Sequence, residues 1–281
     1  LDETDEIMMW DGGNPLHPKP PFNYILTFNI AGLTNEYYGV AHFIRDGQRV
    51  EVPTFQPADY ETVDFGGDIG EMEAFVAGGG TSTMPWTFEG QLKTLWNKTL
   101  RWPGHFAEWR AYTIAGLLSE DPIEVKGQQV VPRDVLHAVL DPRIRAKPGE
   151  PDLVIVRVLA VGRKDGQPAR VRVELIDRFD EATGFTAMER TTGWDGALKA
   201  IMNAYGRTPR GVHPAERSSG KKGADPETSW HMSKAGNAHL RAADLACRYG
   251  GDEFVLQILH EGQISQGRRA GSPGAGCPNH R

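Results

Sequence analysis

Apolar and polar positions alternate along two stretches, Leu153 to Val161 and Arg170 to Phe179, on either side of Lys164-Asp165-Gly166-Gln167. A period of two marks a strand with one buried face, and an Asp-Gly pair between two such runs predicts a β-hairpin. Ala41 to Ile44 and Arg49 to Val52 flank Asp46-Gly47 in the same way and predict another. Glu6 to Trp10 reads as a first strand. The glycines and prolines that follow, Asp11-Gly12-Gly13-Asn14-Pro15 and the proline-rich Leu16 to Pro21, predict a loop, because both residues interrupt helices and central strands. Asn23 to Phe28 reads as an extended, β-rich segment.

Elsewhere the period is nearer that of a helix. Phe88, Leu92, Leu95, Leu100, Phe106, Trp109, Tyr112 and Ile114 predict two helical pieces broken at Pro103-Gly104, with Trp96, Phe106 and Trp109 in the core. Pro132 to Leu140 predicts a short helix entered at Val131 and stopped by Asp141-Pro142. Ala187 to Ala204 predicts a longer one that ends near Gly206.

Composition narrows the class. With 281 residues, 39% apolar and 24% charged, the chain has the profile of a globular protein of one large or two small domains. A net charge of -6 and a pI near 5.9 argue against a nucleic-acid surface, which clusters Lys and Arg. Only Cys247 and Cys277 are present, too few for a disulfide framework or a cysteine-rich metal site, so no metal is expected and a reducing cytoplasm fits. No run approaches about 18 apolar residues, and the opening Leu1-Asp2-Glu3-Thr4-Asp5-Glu6 is acidic rather than leader-like, so neither a membrane partner nor export is expected. A start at Leu1, on the approach to a strand, reads as the cut end of something longer.

Several blocks, taken in order, resemble the saccharopine dehydrogenase and lysine 6-dehydrogenase family. They are Gly12-Gly13-Asn14-Pro15; Asn23 to Tyr37; Ile44 to Pro53; Thr81-Ser82-Thr83-Met84-Pro85; Lys98 to His105; and Thr183 to Met188 running on to Arg190-Thr191-Thr192-Gly193. The match covers roughly residues 5 to 217 and takes in only the carboxy-terminal, substrate-binding part of such enzymes. The resemblance implies an α+β domain with a mixed β-sheet, helices packed on one face and an open face suited to a dimer or domain contact. It implies an oxidoreductase acting on a lysine-like amino acid, a homodimer, and NAD or NADP held mainly by a Rossmann domain outside this sequence. No Gly-x-Gly-x-x-Gly follows a strand; Gly66-Gly67-Asp68-Ile69-Gly70 and Gly78-Gly79-Gly80 have the wrong spacing and read as turns. Ala31 stands where saccharopine-forming members tend to carry an arginine, which favours the lysine 6-dehydrogenase branch.

Within that frame Arg101 is the candidate clamp for a substrate carboxylate, since its planar fork pairs bidentately; without the resemblance it reads first as a surface or core-capping salt-bridge residue. His105, four residues on, shares a face with it if the turn is helical and is the candidate catalytic residue. Asn29, Asn35, Glu36 and Tyr37 are placed at a strand end as substrate-binding candidates. Thr81, Ser82 and Thr83 either offer hydroxyls to substrate or cap a following helix. A non-catalytic amino-acid-binding or dimerisation module is the alternative. Residues 1–217 thus form the substrate domain and 218–230 a linker. Residues 231–260 contain Gly250-Gly251-Asp252-Glu253-Phe254, resembling the signature of diguanylate cyclases but too short for that fold, hence a truncated remnant. Residues 261–281 read as a disordered tail.

Overall fold

The computed structural model describes residues 1–206, 210–214 and 216, with the backbone of Ala246–Arg248 and Phe254–Leu256. The linker, the Gly-Gly-Asp-Glu-Phe segment apart from the Phe254 backbone, and the tail lie outside the described residues. In chain order the elements are β1 (Glu3–Pro15), α1 (Ile30–Glu36), β2 (Val40–Arg45), β3 (Gln48–Pro53), β4 (Glu61–Asp64), β5 (Glu71–Phe75), α2 (Met84–Phe88), β6 (Thr94–Arg101), α3 (His105–Ile114), β7 (Ile123–Val125), β8 (Gln128–Val130), α4 (Pro132–Ile144), β9 (Asp152–Lys164), β10 (Gln167–Arg178) and α5 (Ala187–Ala204). Eight strands make one mixed sheet in the order β10-β9-β1-β6-β2-β3, with β5 also pairing β6 and β4 pairing β5. Only β1 and β6 run parallel, Glu6 opposite Thr94 and Asp11 opposite Thr99. This is the expected α+β fold, and its helices share one sheet face.

Both Asp-Gly hairpins form in the expected register, Arg45 opposite Gln48 and Lys164 opposite Gln167. Asp46, Gly47, Asp165 and Gly166 all take positive φ, the conformation a two-residue turn demands. The α5 span also agrees with the sequence. Its start is held by a capping box between Thr186 and Glu189.

Long-range pairing overrides the local reading in four places. The expected first helical piece after Phe88 is instead the central strand β6, whose residues alternate between partly and fully buried as far as Thr99. It lies inside the sheet, with β1 along one edge and β2 and β5 along the other, while Leu92 just before it and Leu95 within it fall three apart, a helical spacing. Nor does β1 stop at Trp10: the expected glycine loop continues the strand to Pro15. A Cβ on Gly12 would stand 2.3 Å from the Leu100 carbonyl oxygen, and one on Gly13 would stand 2.5 Å from Met188 Sδ, so close packing explains these glycines better than a turn does. Asn23 to Phe28 joins no sheet; a single bridge links Leu26 to Arg145. Finally, α4 runs through Pro142 to Ile144. The missing N–H falls in the last turn, while Leu140 and Ile144 remain anchored in the core.

Two apolar clusters lie on the helical face. One joins Tyr24, Leu33, Tyr37, Phe75 and Trp109 with the buried residues of α4; the other joins Met9, Leu95 and Val156 with Met84 of α2 and Ala187 of α5. Buried Asp152 docks α5 onto the sheet, its two oxygens accepting the Ala187 and Met188 N–H groups at 2.6 and 2.8 Å. Asp152→Ala strands both donors and is expected to cost about 2 kcal/mol, with Asp152→Asn costing less. Urea midpoints measure this, and a loss below about 0.5 kcal/mol would show that the capping box alone holds the helix.

Candidate functional site

A polar strip crosses the helical face. The β1–β6 register puts Asp11 beside Thr99 and Met9 beside Asn97, and side-chain alternation along β6 adds Arg101 to the same face. All four polar residues are buried, an arrangement that costs free energy unless partners or a ligand satisfy it. Asn97 Nδ2 has no hydrogen-bond partner among the described residues. The backbone at Gly80 lies so near this amide that an added Cβ would stand 2.0 Å from Asn97 Oδ1.

Arg101 ends the strip, 4% exposed, where β6 gives way to the Pro103-Gly104 turn. Its Nε donates to the Tyr37 hydroxyl at 3.1 Å and its Nη1 to the Leu100 carbonyl at 3.0 Å. Nη2 reaches Glu36 Oε2 only at 3.5 Å, and the guanidinium lies 5.2 Å from the Tyr24 ring centre. Burial opposes the charge on Arg101, but Tyr37, Tyr24 and Asp11 hold its pKa above the ordinary value. Asp11 and Glu36 set two buried carboxyl groups against the one guanidinium.

Behind Tyr37 lies His105, the first residue of α3 and fully buried. Its Nε2 is 2.8 Å from the Tyr37 hydroxyl. Nδ1 faces the Phe22 backbone, near enough to affect the ring's acidity but outside hydrogen-bond geometry. Burial, and then the charge on Arg101, push the imidazole well below its usual pKa. The ring is therefore neutral at pH 7. Tyr37 already accepts from Arg101, so its own O–H is free to donate to Nε2, which completes a relay from Arg101 through Tyr37 to His105. Phe75 and Trp109 stack on the imidazole at 6.2 and 5.5 Å.

Four expected site residues therefore meet: Glu36, Tyr37, Arg101 and His105. Arg101 and His105 do not share a helical face, as the sequence suggested. One ends a strand, the other begins a helix, and Tyr37 bridges them. Asn29, Asn35, Glu36 and Tyr37 do not follow a strand either: Asn29 caps α1 by accepting the Ala31 N–H at 2.8 Å, and Tyr37 terminates the same helix. Asn35 is taken up structurally, its Oδ1 accepting from Arg133 at 2.8 Å. Thr81 donates to the His42 carbonyl at 2.7 Å and Thr83 to Glu216 at 2.8 Å, so Thr83 makes no side-chain cap to α2. Ser82 occupies a left-handed turn position.

Sequence reasoning missed Asp11, Tyr24, Glu73, Asn97 and Thr99. The signal was available for β6, where Asn97, Thr99 and Arg101 recur every second residue between Trp96, Lys98, Leu100 and Trp102. Glu73 closes the back of the site: its oxygens accept the Gly104 and Phe106 N–H groups at 2.9 and 2.8 Å and hold the start of α3.

The glycine clusters do not fit a dinucleotide. Gly66 to Gly70 closes the antiparallel β4–β5 hairpin through a Phe65 N–H to Gly70 carbonyl bond, with no helix behind it. Gly78 donates to the Glu36 carbonyl, and Gly80 is pressed against Asn97. Among the described residues no helix is long and apolar enough to cross a membrane.

A family model described as saccharopine dehydrogenase C-terminal domain matches residues 2–226. Among solved structures, the chain is similar to apo histidine-tagged saccharopine dehydrogenase (L-Glu forming) from Saccharomyces cerevisiae, with a TM-score of 0.57 at 16% identity. The match covers 74% of this chain and 60% of the yeast chain, so this chain spans less than two thirds of that relative. At this identity the likeness is one of fold.

Proposed function

Because the chain belongs to the saccharopine dehydrogenase C-terminal domain family, we propose that it is the substrate-binding part of an amino-acid oxidoreductase, with Arg101 receiving the carboxylate of a lysine-like amino acid. The observation that carries this reading is the charge arrangement on the buried strip. Arg101 is flanked by Glu36 and Asp11, with only a loose 3.5 Å contact to the first, an arrangement complementary to the joined carboxylate and ammonium of an amino-acid head. The carboxylate would take the guanidinium fork, and the ammonium would lie against the acidic pair. The donor of Asn97 is placed to add a further bond.

His105 has no exposed surface, so in this reading it positions Tyr37 and, through it, Arg101 rather than touching substrate. NAD or NADP would supply the hydride acceptor from another domain; the residues described here hold the amino acid in place for it. The same reading carries the lysine 6-dehydrogenase preference suggested by Ala31, a homodimer and a cytoplasmic location.

A second reading is favoured by one observation: the three Arg101 hydrogen bonds are all internal. Arg101 would then be a strut between α1 and the sheet, in a binding or assembly module without chemistry. Calorimetry with L-lysine separates the two. The first expects binding that weakens at least about tenfold in Arg101→Lys, which loses the fork, and NADH formation once a Rossmann domain is fused upstream. Absence of binding by lysine, other diamino acids and saccharopine would sink it.

A further inference from the structure

The outermost strand of the sheet is β10, and no described residue pairs with its outer edge. It is twelve residues long, regular against β9 from Gln167 to Arg178, with Val171 and Ile176 exposed. An open edge of this length is a template for another strand, and its charged residues restrict which strand can pair with it. The two-residue turn at Asp165-Gly166 closes on the Lys164–Gln167 pair, so odd-numbered residues of β10 direct their backbone groups to β9 and even-numbered ones, from Pro168 to Arg178, direct theirs outward.

The side chains then select one partner and, among registers that overlap most of the strand, one register; a centre at Ile176 also pairs Glu174 with Arg178 but overlaps only 174–178. An antiparallel copy of the same strand must keep even-numbered residues opposite even-numbered ones, so its two-fold axis falls on a residue. Centred on Val171, it would oppose Arg170 to Arg172; on Arg172, that arginine to itself; on Glu174, that glutamate to itself; on Leu175, Arg172 to Arg178. Centred on Val173, it opposes Arg172 to Glu174 twice and Val171 to Leu175 twice, with no like charges facing. Glu174 Oε1 is held by Arg157 at 2.5 Å, while Oε2 has only a 3.6 Å contact with Arg172, itself 63% exposed. A partner's Arg172 would therefore replace only the loose contact at Oε2.

We propose that β10 pairs with β10 of a second copy of this chain, antiparallel and centred on Val173, so that one sheet runs through both subunits. This specifies the surface and register of the homodimer in the reading above, but it rests on the strand pattern alone and stands whether or not lysine binds.

The test is the solution mass of the full chain across a dilution series, with three variants. Wild type is expected at twice 31.0 kDa. Arg172→Glu, which places two like-charged pairs across the axis, should raise the dimer dissociation constant about tenfold, whereas Arg172→Lys should leave it within about threefold. Val173→Cys should form an interchain disulfide on mild oxidation, because facing residues that are not hydrogen-bonded have Cα atoms about 4.5 Å apart. Ala169→Cys, which faces Asp177 rather than itself, should not. Circular dichroism confirms that each variant is folded. A monomeric wild type at tens of micromolar, or a dimer that ignores Arg172→Glu and leaves Val173→Cys uncrosslinked, overturns the proposal.

Discussion

Arg101→Ala is expected to destabilise the folded chain by about 3–5 kcal/mol, among the largest single-residue effects available in this fold. The cost comes less from the lost bonds than from what remains. Glu36 is buried, and without the guanidinium its carboxylate is left there without that ion pair. Tyr37 loses the donor to its hydroxyl at the same time. Arg101→Met fills most of the volume and isolates the charge effect, and Arg101→Lys should lose less than either because it keeps the charge. Adding Glu36→Gln to Arg101→Met should recover stability, since it removes the stranded carboxylate. Urea unfolding midpoints at constant slope measure the series. A loss below about 1 kcal/mol in Arg101→Ala would mean that water reaches Glu36 and that the strip is not the dry environment described.

Acidification below the ordinary histidine pKa is expected to weaken the fold through His105. Burial, then the charge on Arg101, lower its pKa far below the ordinary 6.5, so the folded chain refuses a proton that the unfolded chain accepts. More protons bound in the unfolded state means that stability falls as pH falls. The contribution is complete above pH 6.5 and is lost progressively below it, with a limiting slope of about 1.4 kcal/mol per pH unit. His137, also lowered by burial and by Arg133, acts with the same sign. Asp152 and Asp177, whose pKa values are raised by burial, act with the opposite sign, in a window that begins near 3.8. Comparing wild type with His105→Gln between pH 7.5 and 5.5 therefore isolates the imidazole. The variant should be less stable at pH 7.5 and markedly less dependent on pH. Parallel pH profiles would place His105 in contact with water and remove it as the support of Tyr37.

Some of this was legible in the sequence because neighbours along the chain decided it. Asp46-Gly47 and Asp165-Gly166 specify tight turns by their own backbone preferences, and the registers of both hairpins follow from those turns. The Ala187–Ala204 helix carries its start signal within its first turn. The ordered blocks from Gly12 to Gly193 pointed to the family, although periodicity misplaced several of the elements that carry them.

The site depended on residues far apart in the chain. β6 was misread because Phe88, Leu92 and Leu95 fall at a helical spacing, and only parallel pairing with β1, Glu6 to Thr94, shows that the segment is a strand inside the sheet. The same pairing brings Asp11 to Thr99 and turns an apparent glycine loop into strand. Arg101 and His105 could share a face only if the turn between them were helical; they meet instead through Tyr37, delivered by α1 from a distant part of the chain. Sequence alone determined the turns, one long helix and the family, since each is written in residues that lie together or recur in order. Which polar side chains share one buried strip was decided by strand register, and register is settled by burial and pairing across the whole sheet.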